Sequence, residues 1–237
     1  MKKSIGILGG MGPLATADLF RKIVTLTKAG CDNDHIRIYI DDNASIPDRT
    51  AAILHGGADP VPAMTDSLRK LEHCGADCIV MPCNTAHYFL PRLQSLTDVP
   101  FLSITKSTAQ ACHARFPGKT AAILATTGTL SAGLYQSALE DTGVSYLVPG
   151  EAQQEALMRV IYQGVKADAA PEAYRADMES VLESMAAQGA DYFILGCTEL
   201  PLAADLLGLT VSTVDPTEEL ARSAIRFCGY EEKETRN

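Results

Sequence analysis

Two cysteines stand at equivalent places in this sequence of 237 residues. Cys83 follows the apolar run of GADCIVMPCNT (Gly75 to Thr85), and Cys197 follows that of GADYFILGCTE (Gly189 to Glu199). Gly-Ala-Asp and the cysteine recur at a constant offset of 114 residues. A thiol at the end of a strand and the start of a helix meets unpaired backbone N–H groups and the positive end of the helix dipole. Such surroundings are expected to lower its pKa from about 8.5 and favour thiolate. A thiolate near neutral pH can be a nucleophile, a metal ligand, a redox partner or a proton-transfer base. Twofold placement discriminates among these. If the two halves face each other across a cleft, the sulfurs approach one bound molecule from opposite sides. A base and an acid on opposite faces of one carbon are what inversion of a stereocentre requires.

The elements that must position these cysteines are repeated too. Met64, Leu68 and Leu71 share one helical face, and Met178, Leu182 and Met185 repeat that spacing at the same offset. The start of the chain, IGILGGMGPLATADLF from Ile5, is echoed by AAILATTGTLSAGLYQ from Ala121 at an offset of 116 residues. Short apolar runs read as strands at Ile5 to Leu8, Ile36 to Ile40, Cys78 to Met81 and Phe101 to Ile104 in the first half. In the second half they are Ala121 to Leu124, Ser145 to Val148, Tyr192 to Leu195 and Val211 to Val214. Strands alternating with helical stretches predict an α/β fold of two pseudo-symmetric lobes, each a parallel sheet flanked by helices. Residues 1–103 with 214–237 are expected to form the first lobe and 104–213 the second, an internal duplication. Ligands of such sheets sit beyond the carboxyl ends of the strands, where both cysteines fall, so an active site in the cleft between the lobes is expected if those ends face each other. Asp215-Pro216-Thr217-Glu218 marks the start of the last helix: an N-cap, a first-turn proline and an acid three residues after the cap.

Composition narrows the classes of function. With 46% hydrophobic and 21% charged residues the chain is an ordinary globular protein. No run reaches the roughly 18 apolar residues of a membrane span. A net charge of -9 without a basic stripe argues against a nucleic-acid partner. Seven cysteines at irregular spacing point to a reducing cytoplasm and not to a disulfide framework. Lys2-Lys3 and the apolar run behind them could pass for a secretion signal. GGMGP is poor for a signal helix, however, and the pattern recurs in mid-chain, so a strand-turn-helix unit is expected there.

The motifs GGMGPLAT (Gly9 to Thr16), NASIPDRT (Asn43 to Thr50), MPCNTAH (Met81 to His87), ATTGT (Ala125 to Thr129) and GCTEL (Gly196 to Leu200) cover nearly the whole chain. Together they resemble the cofactor-independent aspartate/glutamate racemase family. The resemblance implies a two-lobed fold with a small acidic amino acid between the lobes, no pyridoxal phosphate and no metal. It also implies that Cys83 and Cys197 exchange the α-proton, and that the enzyme is an isomerase. Some members replace one cysteine with Thr; this chain has both. The family often forms homodimers. Asn84, Thr85 and Thr198 offer donors for an α-carboxylate, and Thr127 completes that clamp. Arg49, in the polar NASIPDRT loop, is expected to grip the substrate's side-chain carboxylate with a bidentate fork. Lys166 matches a cationic position of the family. Met11, His87 and Glu199 are expected around the site, His87 to cap or position its helix and Glu199 to steady the turn or tune Cys197.

Cys31, Cys74, Cys78, Cys112 and Cys228 lack the repeated context and read as packing or surface thiols. Asp41 and Asp42 read as solvated or loop-ordering residues at a strand end. Three other functions compete. Gly10-x-Gly12-x-x-Ala15 fits a loose dinucleotide fingerprint and suggests an NAD-dependent oxidoreductase. Pro13 inside that turn and the unexplained cysteines speak against it. A non-catalytic amino-acid-binding protein would use the same cleft without turnover. A maleate isomerase, hydantoin racemase or arylmalonate decarboxylase would share the cysteines but not the Arg49 loop in the same form.

Overall fold

The computed structural model describes residues 2–233. Two compact units divide the chain. One runs up to Ser107 and resumes at Thr217; the other is Thr108–Pro216.

The first unit contains β1 (Ile5–Gly9), α1 (Pro13–Leu26), β2 (Ile38–Asp42), α2 (Arg49–Leu54), α3 (Val61–His73), β3 (Cys78–Val80), α4 (Leu90–Gln94) and β4 (Phe101–Leu102). The chain crosses into the second unit within α5 (Ile104–Arg115). There follow β5 (Thr120–Leu124), α6 (Thr127–Ser131), α7 (Leu134–Thr142), β6 (Ser145–Leu147), α8 (Glu151–Arg159), α9 (Glu172–Ala187), β7 (Tyr192–Leu195), α10 (Glu199–Leu207) and β8 (Thr213–Val214). Helix α11 (Pro216–Phe227) brings the chain back to the first unit and begins at the proline its sequence predicts. Among the described residues no helix is long and apolar enough to cross a membrane.

Each unit holds a four-stranded parallel sheet, ordered β2-β1-β3-β4 in the first and β6-β5-β7-β8 in the second. The order is the same in both, as the sequence repeat requires. Successive strand residues point to opposite faces, so a central strand covered on both sides reads as an unbroken apolar run. In β3, Ile79 packs with Met64, Leu68 and Leu71 of α3, whereas Cys78 and Val80 pack with Leu19 and Ile23 of α1 and Leu220 and Ile225 of α11. In β7, Phe193 and Leu195 meet Met178, Leu182 and Met185 of α9. Tyr192 and Ile194 turn the other way, toward Tyr135 and Leu139 of α7 and Cys112 of α5.

Boundaries shift where strands lie at a sheet edge. Strand β2 runs two residues past the apolar stretch, because pairing Leu8 with Asp41 and Gly9 with Asp42 continues the ladder. An edge strand tolerates acids there, and Lys70 lies 3.8 Å from Asp41. Strand β4 is shorter than expected because Ile104 already opens α5, and β8 loses Val211, which is exposed.

Leu220 is fully buried on the helix that resumes the first unit. Leu220→Ala is expected to lower the unfolding free energy by about 2–5 kcal/mol, read as a lower urea midpoint. A loss below about 1 kcal/mol would mean that α11 is not part of that core.

Candidate active site

In the first unit the site is built from the ends of β1 and β3. The turn after β1 needs glycine: Gly10 has φ +88°, and a Cβ there would stand 2.2 Å from the backbone carbon of Asn43. The Gly10 N–H donates to the Thr16 hydroxyl at 2.9 Å, which ties the turn to α1. This close passage brings the 43–49 segment against Met11. Arg49 does not stand in a loop, as its sequence context suggested. Asp48 caps α2 by accepting from the Ala51 N–H at 2.7 Å, and Arg49 is therefore the first helical residue. Its side chain is buried and folds back. One terminal nitrogen donates to the carbonyls of Ile46 (3.1 Å) and Pro47 (2.8 Å), the other to that of Met11 (3.2 Å). The guanidinium thus fastens two turns together, and a bidentate grip on a ligand requires it to exchange some of these carbonyls.

Strand β3 delivers Cys83 to the same apolar cluster as Met11 and Ile46, with only 6% of the cysteine exposed. The expected helix start is a 3₁₀ turn, Thr85–Phe89, before α4. Pro91 explains this, since it has no N–H to give an α-helical bond to the carbonyl of His87. Asn84 and Thr85 are buried beside Cys83, and His87 lies one turn on. The Ile104 N–H donates to His87 Nε2 at 3.1 Å, so the ring proton sits on Nδ1 and donates to the Cys83 carbonyl at 2.9 Å. His87 is a neutral staple between the cysteine turn and the first residue of α5. Burial lowers its pKa to about 4.

In the second unit Cys197 lies just beyond β7, again 6% exposed, packed with Val160, Ile161, Val165 and Leu200. Gly196 before it keeps the packing loose enough for the Tyr135 ring, which a Cβ there would approach to a tight 3.0 Å. The Cys197 thiol donates to Glu199 Oε2 at 2.9 Å, and the Thr198 hydroxyl donates to the same oxygen at 3.3 Å. Lys166 Nζ stands 3.8 Å from Glu199 Oε1 and 4.6 Å from the Tyr162 ring centroid. These contacts correct the expectation of a ready thiolate. Burial first, then the Glu199 carboxylate, push the Cys197 thiol well above its ordinary value, and Lys166 only partly opposes them. Thr127 opens α6 behind its cap Thr126, and its hydroxyl accepts from Gln154 Nε2 at 3.1 Å. Gln154, which also donates to the Ala125 carbonyl at 3.0 Å, was not singled out from the sequence. It lies on α8, outside every quoted motif, and no spacing signalled it.

The structure therefore joins Met11, Arg49, Cys83, Asn84, Thr85 and His87 in the first unit, and Lys166, Cys197, Thr198 and Glu199 in the second. The family model for Asp/Glu/hydantoin racemases matches residues 8–224. The chain belongs to that family. The broad specificity amino-acid racemase RacX of Bacillus subtilis is 30% identical over 227 residues, 93% of this chain and 96% of that protein. A glutamate racemase of Deinococcus radiodurans is 32% identical over 165 residues, 66% of this chain and 54% of the relative. Among solved structures, the Picrophilus torridus aspartate racemase superposes with a TM-score of 0.85 at 31% identity, covering 98% of this chain and 96% of that one. The family is the one that the motifs resemble, its named relatives are isomerases, and the oxidoreductase reading is set aside.

Because burial lowers the His87 pKa, the unfolded chain, with a value near 6.5, binds its proton more tightly. The neutral ring's contribution is complete above about pH 6.5 and is lost as pH falls toward about 4, on the order of 3 kcal/mol in all. The stability advantage of wild type over the non-titrating His87→Gln variant should shrink by about 2 kcal/mol between pH 7.5 and 5, read by urea unfolding. A pH-independent difference would contradict a neutral buried ring.

Proposed function

We propose that this protein is a cofactor-independent, cytoplasmic racemase of acidic amino acids, aspartate or glutamate, working by proton transfer between Cys83 and Cys197. One observation carries the reading. Each unit ends the equivalent strand of an equivalent sheet in a nearly buried cysteine that the next turn holds in place. The names of the relatives supply the substrate class.

In the proposed reaction one cysteine, as thiolate, takes the α-proton: Cα–H breaks, S–H forms, and the electron pair delocalises into the α-carboxylate. The other cysteine, as thiol, protonates the opposite face and inverts the centre. Asn84, Thr85, Thr127 and Thr198 supply donors for the α-carboxylate, where each well-placed donor is worth roughly 3 kcal/mol as charge develops. Arg49 and Lys166 supply positive charge for the side-chain carboxylate. Aspartate and glutamate differ by one methylene, a discrimination of only about 1–3 kcal/mol, so turnover of both is expected.

The test is proton NMR of L- and D-aspartate and L- and D-glutamate with the protein in D2O. Loss of the α-proton signal is expected, together with appearance of the other enantiomer when the products are separated on a chiral column. Cys83→Ala and Cys197→Ala should each lower the rate by at least about 10²-fold with the fold intact. Full activity in either variant removes that cysteine from the mechanism. Binding of aspartate without deuterium uptake would make the protein a binding module, and turnover of a 5-substituted hydantoin instead of the acids would move it to another branch of its family.

A further inference from the structure

Each half sends one long polar side chain along the same route. Helices α2 and α8 each follow the edge strand of their sheet, β2 in the first unit and β6 in the second. From each helix a side chain reaches back to the turn after the neighbouring strand. Arg49 of α2 donates to the Met11 carbonyl at 3.2 Å, behind β1. Gln154 of α8 donates through Nε2 to the Ala125 carbonyl at 3.0 Å and to the Thr127 hydroxyl at 3.1 Å, behind β5. The offset of 116 residues that relates these two turns maps Met11 onto Thr127. Gln154 is thus the topological counterpart of Arg49, although NASIPDRT has no echo around it.

Hydrogen-bond polarity gives this contact a consequence. A carbonyl only accepts, so the amide nitrogen of Gln154 must face Ala125, and its second hydrogen then goes to Thr127. Thr127 Oγ1 is the acceptor in that pair, which leaves the hydroxyl's own hydrogen to be donated elsewhere. The turn itself is held by other bonds: the Thr127 N–H donates to Met158 Sδ at 3.4 Å, and the Thr126 hydroxyl accepts from the Thr129 N–H at 3.2 Å. Gln154 Oε1, by contrast, is buried without a hydrogen-bond partner among the described residues. An unpaired buried acceptor costs stability, and a methionine of similar length would fill the space without that cost, so packing does not explain a glutamine here. Resting on the racemase reading, we infer that Gln154 is the positioning residue of Thr127: it occupies the hydroxyl oxygen as acceptor and thereby makes Thr127 a donor to the substrate's α-carboxylate. Without that contact the hydroxyl rotates and can turn its lone pairs, which repel a carboxylate, toward the ligand. A donor aimed in advance gains most as negative charge grows on the carboxylate during α-proton removal.

The experiment is a double-mutant cycle on kcat/KM for aspartate racemisation, with wild type, Gln154→Met, Thr127→Val and the double variant. Met keeps the length of the side chain and removes the donor; Val keeps the shape of threonine and removes the hydroxyl. Each single variant should lower kcat/KM by about tenfold, the worth of one hydrogen bond to a charged group. The double variant should be no slower than Thr127→Val alone, because Gln154 acts only through the hydroxyl that Val lacks. Gln154→Glu should be slower than Gln154→Met, since a carboxylate accepts the Thr127 hydrogen and takes it from the substrate. Full kcat/KM in Gln154→Met overturns the inference, and so does a double variant about 10²-fold slower than wild type, the multiplied losses of two independent sites. If Gln154→Met does not fold, Gln154→Glu replaces it in the cycle and is read by the same criterion. If wild type binds aspartate without turning it over, the racemase reading falls, and the same cycle measured on the dissociation constant of aspartate by calorimetry decides the role of Gln154: coupling to Thr127 supports it and independence overturns it. If wild type neither binds nor racemises aspartate or glutamate, both fall.

Discussion

Parallel pairing of β1 with β3, and of β5 with β7, is the constraint on which the remainder depends. Both central strands are buried on both faces, so neither can slip by one residue without turning its apolar set the wrong way. Ile5 is locked to Cys78 and Ile7 to Val80 in one unit, and Ala121 to Tyr192 and Leu124 to Leu195 in the other. Because the strands are parallel, the turns after them emerge at the same edge of their sheet. The glycine turn after β1 and the cysteine turn after β3 are neighbours for that reason alone. The polar residues of the site need no regular structure of their own.

Burial sets the chemical problem that the site must solve. Cys197, with 6% exposure, is shielded from side reactions, but its burial and the Glu199 carboxylate also make it a poor thiolate. The two halves hold their cysteines differently. In the first, the contact is with the backbone: neutral His87 grips the Cys83 carbonyl and is gripped by the Ile104 N–H. In the second, the contact is with the sulfur: Glu199 accepts directly from the Cys197 thiol. The two equivalent turns thus hold their cysteines by different contacts, one through the backbone and one through the sulfur.

Much of this was legible in the residues. Doubly covered strands write continuous apolar runs, and the repeat at 114 residues placed both cysteines at strand ends before any coordinates. Helix α11 announced itself through Pro216 and its acids. Edge strands were read less well, since β2 continues through Asp41 and Asp42 where pairing, not hydrophobicity, decides. Hidden altogether were contacts that depend on the path of the backbone. Arg49 sits in a polar motif, but that its terminal nitrogens close on Met11, Ile46 and Pro47 follows from how two turns cross at Gly10. The raised Cys197 thiol is a second case: the helix start is present in GCTEL, but the carboxylate that outweighs it acts through a rotamer that no spacing encodes.

The central claim is that two sulfurs address one carbon from opposite faces. A crystal structure with bound aspartate, or with a non-racemising analogue of it, tests that claim most directly. Each sulfur should lie about 3.5 Å from the α-carbon, on opposite sides of it, with the sulfurs roughly 7 Å apart. Both sulfurs on one face, or a separation well beyond about 10 Å with the ligand enclosed, would contradict proton transfer between a cysteine pair.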